Sequence, residues 1–327
     1  MQGKIAFEEH FAIEETLGDT WAFAGDSGKW KEFTREILDL GETRLGYMDD
    51  AGIELAVLSL HSPGIQGIVD PVEALTISRK ANNRLAAAVA SRPERYAALA
   101  ALPMHDAEIA VTELTRCVTQ LGFKGCMVNG FQQVGNRDTV HYYDHPDYRE
   151  FWNVVAELDV PFYLHPRMQI PSRSQNYDGH PWLMSSPWGF AVETSIHALR
   201  LCGSGVFDEF PNLRICLGHL GETIPFGLWR IDSRMQFSPR GYRGKRPLGD
   251  YFRENFHLTS SGNFDDASFR CTLDVFDHDR IYYSADYPFE RMSDASDWFD
   301  TTDVISDGLR VAMGRTNAIR LLNLSLN

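Results

Sequence analysis

Short apolar runs rich in β-forming residues recur along the chain, and a segment with the spacing of an amphipathic helix follows each of them. The runs predict strands at 4–10, 55–60, 97–103, 125–129, 161–165, 214–219, 256–261 and 281–286. The intervening segments predict helices at about 34–51, 72–91, 107–121, 147–158, 193–209, 221–235, 246–254 and 265–276, with a last helix near 305–322. This alternation predicts an α/β fold, the parallel (β/α)₈ TIM barrel.

A doubly wound parallel sheet is the alternative arrangement. It usually has fewer strands and often carries a glycine-rich phosphate loop after its first strand, whereas this first strand ends in Glu8-Glu9-His10. No repeat, low-complexity tract or linker divides the sequence, so we expect one domain, 1–327. Two long connections, 11–33 after strand 1 and 166–192 after strand 5, are predicted loop insertions at the end of the barrel where active sites form.

Composition narrows the class of protein. The formal net charge of −14 argues against a nucleic-acid partner or an anionic membrane surface. No stretch approaches the apolar length of a membrane span, and acidic residues stand at the N-terminus where a signal peptide would need an apolar run. The five scattered cysteines contain no C-x-x-C pair, which indicates reduced thiols and a cytoplasmic protein.

Potential metal ligands lie at the ends of several predicted strands. Glu8 and His10 are two residues apart near the end of strand 1, so they should share a face; His165, His219 and Asp286 end strands 5, 6 and 8. In a closed barrel all five side chains would meet at the C-terminal mouth. Imidazole and carboxylate ligands suit Zn²⁺, Mn²⁺ or Fe²⁺ and do not exclude Mg²⁺, and so small a set leaves positions open for substrate. The sequence therefore predicts one catalytic divalent ion.

Each of these residues alone also has an ordinary structural explanation. A single histidine on a strand is more often a hydrogen-bonded core residue than a ligand, and an aspartate after a strand is often a helix cap. Glu222 lies three residues after His219, where it could orient the imidazole or simply favour a helix N-terminus. Arg230 could hold a substrate oxygen or be an ordinary ion-pair partner. The combined pattern is what favours a metal site.

Several motifs resemble the decarboxylase branch of the amidohydrolase superfamily, which contains the γ-resorcylate, 2,3-dihydroxybenzoate and salicylate decarboxylases and aminocarboxymuconate-semialdehyde decarboxylase. They span nearly the whole chain: GKIAFEEHF, GFKGCMVNGF, LDVPFYLHPR, YDGHPWL, GHLGETIPFGLWRID, TSSGNF and SADYPFE. EEHFA, VNGF and YDGHPWL are most similar to γ-resorcylate (2,6-dihydroxybenzoate) decarboxylases. HSPG at 61–64 and MHD at 104–106 are closer to the salicylate and 2,3-dihydroxybenzoate enzymes.

The resemblance implies an amidohydrolase-type barrel that is a homodimer or homotetramer and decarboxylates an ortho-hydroxybenzoate, reversibly and without redox chemistry, to a phenol and CO₂. It implies metal ligation by Glu8, His10, His165 and Asp286. It places His219 beside the metal, as a weak ligand or a catalytic group paired with Glu222. The substrate, a small aromatic carboxylate, would contact Phe23, Asn129, His180, Arg230 and Phe289.

The expected chemistry protonates the ring carbon before CO₂ leaves, because a bare aryl carbanion is too unstable and no pyridoxal or thiamine site is recognised. Asp286 is the expected acid. Two other functions stay open: hydrolysis of a lactone or amide at the same metal, and a binding module without turnover. Glu8 replaces the first histidine of the usual H-x-H, a departure that by resemblance favours decarboxylation.

Overall fold

Eight parallel strand positions, all close to those predicted, form the centre of the molecule. The computed structural model describes residues 1–20 and 28–326. The strands are β1 (Lys4–Phe11), β2 (Ile53–Leu60), β3 (Tyr96–Ala98), β4 (Ala100–Ala101), β5 (Cys126–Asn129), β6 (Gln132–Gln133), β7 (Val140–His141), β8 (Phe162–His165), β9 (Ile215–Leu217), β10 (Phe256–Thr259) and β11 (Ile281–Tyr282). The small β6–β7 hairpin is antiparallel and lies outside the main sheet.

The strand order shows that the sheet runs round a barrel. One set of paired strands has the order β1-β2-β3 and the other β4-β5-β8-β9-β10-β11, and only Leu99 separates β3 from β4. Backbone bonds join the first strand to the last: Phe7 N to Tyr283 O at 3.1 Å, Asp286 N to Glu8 O at 3.1 Å and His10 N to Tyr287 O at 2.7 Å. The predicted (β/α)₈ barrel is therefore confirmed.

The helices pack around this barrel. They are α1 (Trp30–Leu38), α2 (Glu42–Asp50), α3 (Pro71–Ser91), α4 (Ala107–Leu121), α5 (Arg149–Glu157), α6 (Gly189–Gly203), α7 (Val206–Glu209), α8 (Ile224–Phe237), α9 (Leu248–Asn255), α10 (Asp266–Val275), α11 (Met292–Thr301), α12 (Asp307–Val311) and α13 (Asn317–Leu321). No helix of the described ranges is long and apolar enough to cross a membrane.

Local signals explain where several helices begin and end. Asp70 accepts hydrogen bonds from the N–H groups of Val72 and Glu73 ahead of α3, and Asp106 caps α4 in the same way. The predicted helix 34–51 is in fact two helices, because Asp39 ends the first and its carboxylate accepts from Gly41 N at 2.9 Å ahead of the second. The prediction also missed α11, whose sequence carries three aspartates among its buried apolar residues.

A bulge in β1 decides which side chains enter the barrel. Ile5 and Phe7 belong to the apolar cluster inside the barrel, so strict alternation would turn Glu8 and His10 outward. The pairing register with β2 shifts between Ala6 and Glu9. Because a bulge adds one residue to a strand and re-aims the side chains beyond it, Glu8 and His10 point into the barrel, above the apolar interior.

Candidate metal centre and active site

Four potential metal ligands from three strand positions meet at the barrel mouth. One ligand atom each from Glu8, His10, His165 and Asp286 lies within 4.8 Å of the others, and all four residues are buried. Asp286 Oδ1 is 3.1 Å from His10 Nε2, and Glu8 Oε1 is 3.3 Å from His165 Nε2. In the part of the chain that the structure describes, this is the one group of three or more such residues able to hold a metal ion.

The cluster fits a divalent cation. Glu8 Oε1, His10 Nε2 and Asp286 Oδ1 are buried, and apart from the ion-pair contacts within the cluster they have no hydrogen-bond partner among the described residues. A buried polar atom without a partner is costly, so several together indicate a binding site for a cation. Neighbouring atoms bound to one ion at about 2.1 Å lie about 3 Å apart. The closest pairs of the cluster, at 3.1 and 3.3 Å, are near this spacing, and all four atoms lie within 4.8 Å of one another. Nitrogen and carboxylate donors without a thiolate suit Mn²⁺ or Zn²⁺.

The electrostatics of the cluster also favour a cation. Burial pushes the pKa of Glu8 upward, but His10 and His165 hold it well below its ordinary value. Burial opposes charge on His10, yet Asp286 and Glu8 raise its pKa to about 9. Burial lowers the pKa of His165. The two carboxylates therefore attract positive charge, which a metal ion would supply while taking the place of the proton on His10.

His219 and Glu222 lie on an unusual turn between β9 and α8. Four consecutive residues, His219 to Glu222, have φ values of 53°, 59°, 87° and 61°, in the left-handed region that only glycine adopts readily. This turn brings Glu222 Oε1 within 2.9 Å of His219 Nδ1 and directs His219 Nε2 toward Asp286 Oδ2, 3.6 Å away. Strain of this kind is typical of functional sites, where the surrounding structure maintains it.

Two predicted substrate residues lie beside the cluster. Asn129 on β5 pairs across the sheet with His165, and its Oδ1 is buried without a hydrogen-bond partner among the described residues. Phe289 packs its ring 5.6 Å from the imidazole of His10, with the planes at 73°. Phe33 on α1, which the sequence did not single out, packs 5.3 Å from Phe289. An apolar wall and an available amide oxygen therefore flank the candidate metal site.

Two other predicted substrate residues, His180 and Arg230, are exposed and make no hydrogen bond or ion pair with the cluster residues that the structure describes. His180 is exposed in the loop after β8, where its backbone N–H bonds to Tyr177 O. Arg230 is exposed on α8, next to the exposed Trp229. Phe23 lies outside the described residues. Their roles in substrate binding stay predictions.

Sequence reasoning missed three hydroxyl residues around Glu8. Tyr163, Thr259 and Ser261 are buried and donate hydrogen bonds to Glu8 Oε2. The signal was present in the spacing, because Tyr163 lies two residues before His165 and so shares its face of β8. Thr259 and Ser261 have the same two-residue spacing at the end of a predicted strand.

Comparison with known proteins assigns this chain to a family. A family model described as amidohydrolase matches residues 28–324. The chain is 52% identical over 328 residues to a γ-resorcylate decarboxylase of Rhizobium sp. (strain MTP-10005), with 99% of each chain covered. It is 49% identical over 329 residues to a γ-resorcylate decarboxylase of Rhodococcus jostii (strain RHA1), again with 99% of each covered.

Solved structures agree with this assignment. A crystal structure of 2,6-dihydroxybenzoate decarboxylase in complex with 2,6-dihydroxybenzoate matches with a TM-score of 0.96 and 52% identity, over 99% of this chain and all of that one. A dihydroxybenzoic acid decarboxylase from Polaromonas sp. JS666, with bound manganese and the inhibitor 2-nitroresorcinol, matches with a TM-score of 0.97 and 47% identity. This match covers 100% of this chain and 98% of that one. The chain therefore belongs to the amidohydrolase family, in the branch that contains the γ-resorcylate decarboxylases.

Proposed function

We propose that the protein is a metal-dependent, non-oxidative decarboxylase of an ortho-hydroxybenzoate, with 2,6-dihydroxybenzoate as the first candidate substrate. The observation that carries this proposal is the buried cluster of Glu8, His10, His165 and Asp286, whose inward atoms converge at the barrel mouth. Four relatives at 48–52% identity over nearly the whole chain are named γ-resorcylate decarboxylases, which favours decarboxylation over lactone or amide hydrolysis.

One divalent ion would be held by the four cluster residues. Manganese is the first candidate, because the Polaromonas structure and a 30% identical 5-carboxyvanillate decarboxylase both contain it; zinc and magnesium are the alternatives. Bound here, the ion would supply positive charge that orients the carboxylate and ortho-hydroxyl oxygens of the substrate and favours the phenolate. Asn129 Oδ1 can accept a hydrogen bond from a second ring hydroxyl, and the Phe289 ring can pack against the aromatic ring.

The protein's own groups supply the proton. Burial lowers the pKa of His219, but the neighbouring carboxylates, chiefly Glu222, have the larger effect. The pKa of His219 is therefore raised well above its ordinary value. His10 and His219 keep the pKa of Asp286 below its usual value despite burial. The proposed proton route runs from His219 Nε2 to Asp286 Oδ2, 3.6 Å away, and from there to the ring carbon that bears the carboxylate.

Loss of CO₂ then completes the reaction. The C–H bond forms at the ring carbon, the bond from that carbon to the carboxylate breaks, and its electron pair returns to the ring as aromaticity is restored. No electron is gained or lost overall, so the same groups can run the reaction backwards under high bicarbonate. Asp286 and His219 are thus the proposed acid and its proton source, and Glu222 holds His219 Nδ1.

The test is product formation by the metal-loaded protein. We expect resorcinol and CO₂ from 2,6-dihydroxybenzoate, with activity lost on chelation and restored by Mn²⁺. Parallel incubations with 2,3-dihydroxybenzoate and salicylate, followed for catechol and phenol, rank the substrates. If the metal-loaded protein releases none of the three phenols, the proposal fails; hydrolysis of a lactone or amide substrate would then support the alternative function.

We also propose that the chain forms one domain and a homo-oligomer, a dimer or tetramer. One apolar cluster extends from Ala6 to Met313, which supports a single domain. Helix α8 exposes Phe226, Trp229 and Phe237 with 91%, 80% and 80% of their surfaces accessible, and so large an apolar face favours contact with a second copy. Sedimentation equilibrium tests this, and a monomer at micromolar concentration would refute it.

The cytoplasmic location remains a proposal. It is supported by the five cysteines, which are all free and of which four are buried. Fractionation of cells that express the protein would test it, and recovery in an oxidising compartment would contradict it.

A further inference from the structure

The two oxygens of the Glu8 carboxylate have different surroundings. Oε1 faces the metal cluster, 3.3 Å from His165 Nε2 and 3.7 Å from His10 Nε2. Oε2 points the other way and accepts hydrogen bonds from Tyr163, from Ser261 Oγ at 2.5 Å and from Thr259 Oγ1 at 3.0 Å. Hydroxyl donors therefore saturate Oε2, while among the described residues Oε1 has only the ion-pair contacts with the histidines of the cluster.

We propose that Tyr163, Thr259 and Ser261 are positioning residues that keep Glu8 Oε2 away from the cluster and present Oε1 alone to a divalent cation. This inference rests on the metal site of the proposed function and extends it to residues outside the four proposed ligands. The three residues are at most 1% exposed, so water hardly competes for their hydroxyl groups.

The energetic reason is the cost of burying an ionised carboxylate. Such a group is stable away from water only when it is paired or hydrogen-bonded. Charge-assisted hydrogen bonds from hydroxyl groups are the strong kind, and three on one oxygen fix both the rotamer and the plane of the carboxylate. A carboxylate held in this way loses little conformational freedom when it binds a metal, which is how residues behind the ligands raise affinity.

The hydroxyl groups also connect two parts of the site. Tyr163 OH lies 2.7 Å from Thr259 Oγ1, which lies 2.9 Å from Ser261 Oγ. Ser261 Oγ in turn accepts a hydrogen bond from the backbone N–H of His219 at 3.2 Å. Ser261 therefore joins the oxygen of a metal ligand to the first residue of the strained turn that carries the proposed proton source.

The experiment measures Mn²⁺ affinity directly, on the full chain stripped of metal, by competition with a fluorescent chelator. We expect Tyr163→Phe, Thr259→Val and Ser261→Ala each to raise the Kd for Mn²⁺ about tenfold, and Tyr163→Phe with Ser261→Ala together to raise it about 100-fold. Thr259→Ser keeps the hydroxyl group, so its Kd should stay within about twofold of the unchanged protein, whereas Thr259→Val should not.

Matched controls separate positioning from general stability. Ser78→Ala and Tyr148→Phe remove buried hydroxyl groups that bond to backbone carbonyls of Ala101 and Met104, and should leave the Kd for Mn²⁺ unchanged. Far-UV circular dichroism and the unfolding midpoint of the metal-free protein show that each variant folds. Should Tyr163→Phe prove unstable, Ser261→Ala, which deletes a single oxygen atom, carries the test.

Two outcomes tell this inference apart from the proposed function. If Glu8→Ala abolishes Mn²⁺ binding while folded Thr259→Val and Ser261→Ala keep the Kd within about twofold of the unchanged protein, the positioning role is overturned and the metal site stands. If Glu8→Ala itself leaves the Kd unchanged, the metal site of the proposed function fails, and this inference fails with it.

Discussion

Glu9 holds the backbone on both sides of Asp286. Its Oε1 accepts a hydrogen bond from Ala285 N at 2.9 Å, and its Oε2 accepts one from Tyr287 N at 3.0 Å. Asp286 itself has a φ of 78°. This conformation is unfavourable for any residue other than glycine, so it persists only where surrounding contacts hold it in place. The residue between the two candidate ligands of β1 thus fixes the position of a third.

Replacing Glu9 by glutamine should weaken metal binding. The amide has one acceptor oxygen instead of two, and its NH₂ group would face an N–H group of the Asp286 segment. We expect the Kd for Mn²⁺ to rise about tenfold, because a residue that orients a metal ligand affects the affinity for the metal. Glu113→Gln is the control, since Glu113 is also fully buried but bonds to Arg116 and Asn82. Equal effects of both variants on the Kd would contradict the prediction.

Gly218→Ala should disturb Glu8. A Cβ atom at this glycine would lie 2.8 Å from Glu8 Oε2 and 3.0 Å from Ser261 Oγ, both closer than normal contacts, so the carboxylate must move. We expect both the turnover and the Mn²⁺ content to fall, the turnover by about tenfold or more. Gly227→Ala on α8 is the matched control, because its new Cβ would meet Ile231 at 3.5 Å and alanine favours a helix. Normal metal content in Gly218→Ala would refute the prediction.

His219→Asn should separate proton transfer from metal binding. Asparagine cannot carry the proton that the proposed mechanism takes from His219 Nε2, whereas the four cluster residues remain. We therefore expect kcat to fall about 10²–10⁴-fold with the Mn²⁺ content unchanged, measured by steady-state kinetics and elemental analysis of the same preparation. Loss of the metal in this variant would instead identify His219 as a ligand.

His197 should make the protein sensitive to acid. Burial lowers the pKa of His197 to about 3 from an ordinary 6.5, and its Nε2 accepts a hydrogen bond from Tyr143 N at 3.1 Å. Because the unfolded chain binds a proton near pH 6.5 and the folded chain does not, this contribution to stability is present above pH 6.5 and is lost as the pH falls toward 3.

The matching variant is His197→Gln, whose amide oxygen can accept the same hydrogen bond without titrating. Between pH 7 and pH 5 the free energy of unfolding should decrease by about 2 kcal/mol more in the unchanged protein than in the variant, as measured by urea unfolding. A difference between the two proteins that does not change with pH would exclude His197 as a source of acid sensitivity.

The sequence alone determined the fold class and the candidate ligands. Eight apolar runs alternating with helical segments predicted the barrel. Each element must bury one face, and the spacing of its apolar residues indicates the type of element and the face that is buried. Glu8, His10, His165, His219 and Asp286 were recognisable as candidates because ligands in such barrels stand at the carboxyl ends of strands, which the hydrophobic pattern predicts. The resemblance to the decarboxylases then singled out the first three and Asp286, which form the buried cluster.

Only the tertiary structure decided how those residues are held. The bulge in β1 that turns Glu8 and His10 inward depends on the register with β2 and has no local signature, so strict alternation would have placed both outside. The bonds from Glu9 to the Asp286 segment and from Tyr163, Thr259 and Ser261 to Glu8 join residues at least 155 positions apart. Such bonds depend on the closure of the barrel, which brings distant strands together. They cannot be predicted from the local spacing of apolar residues.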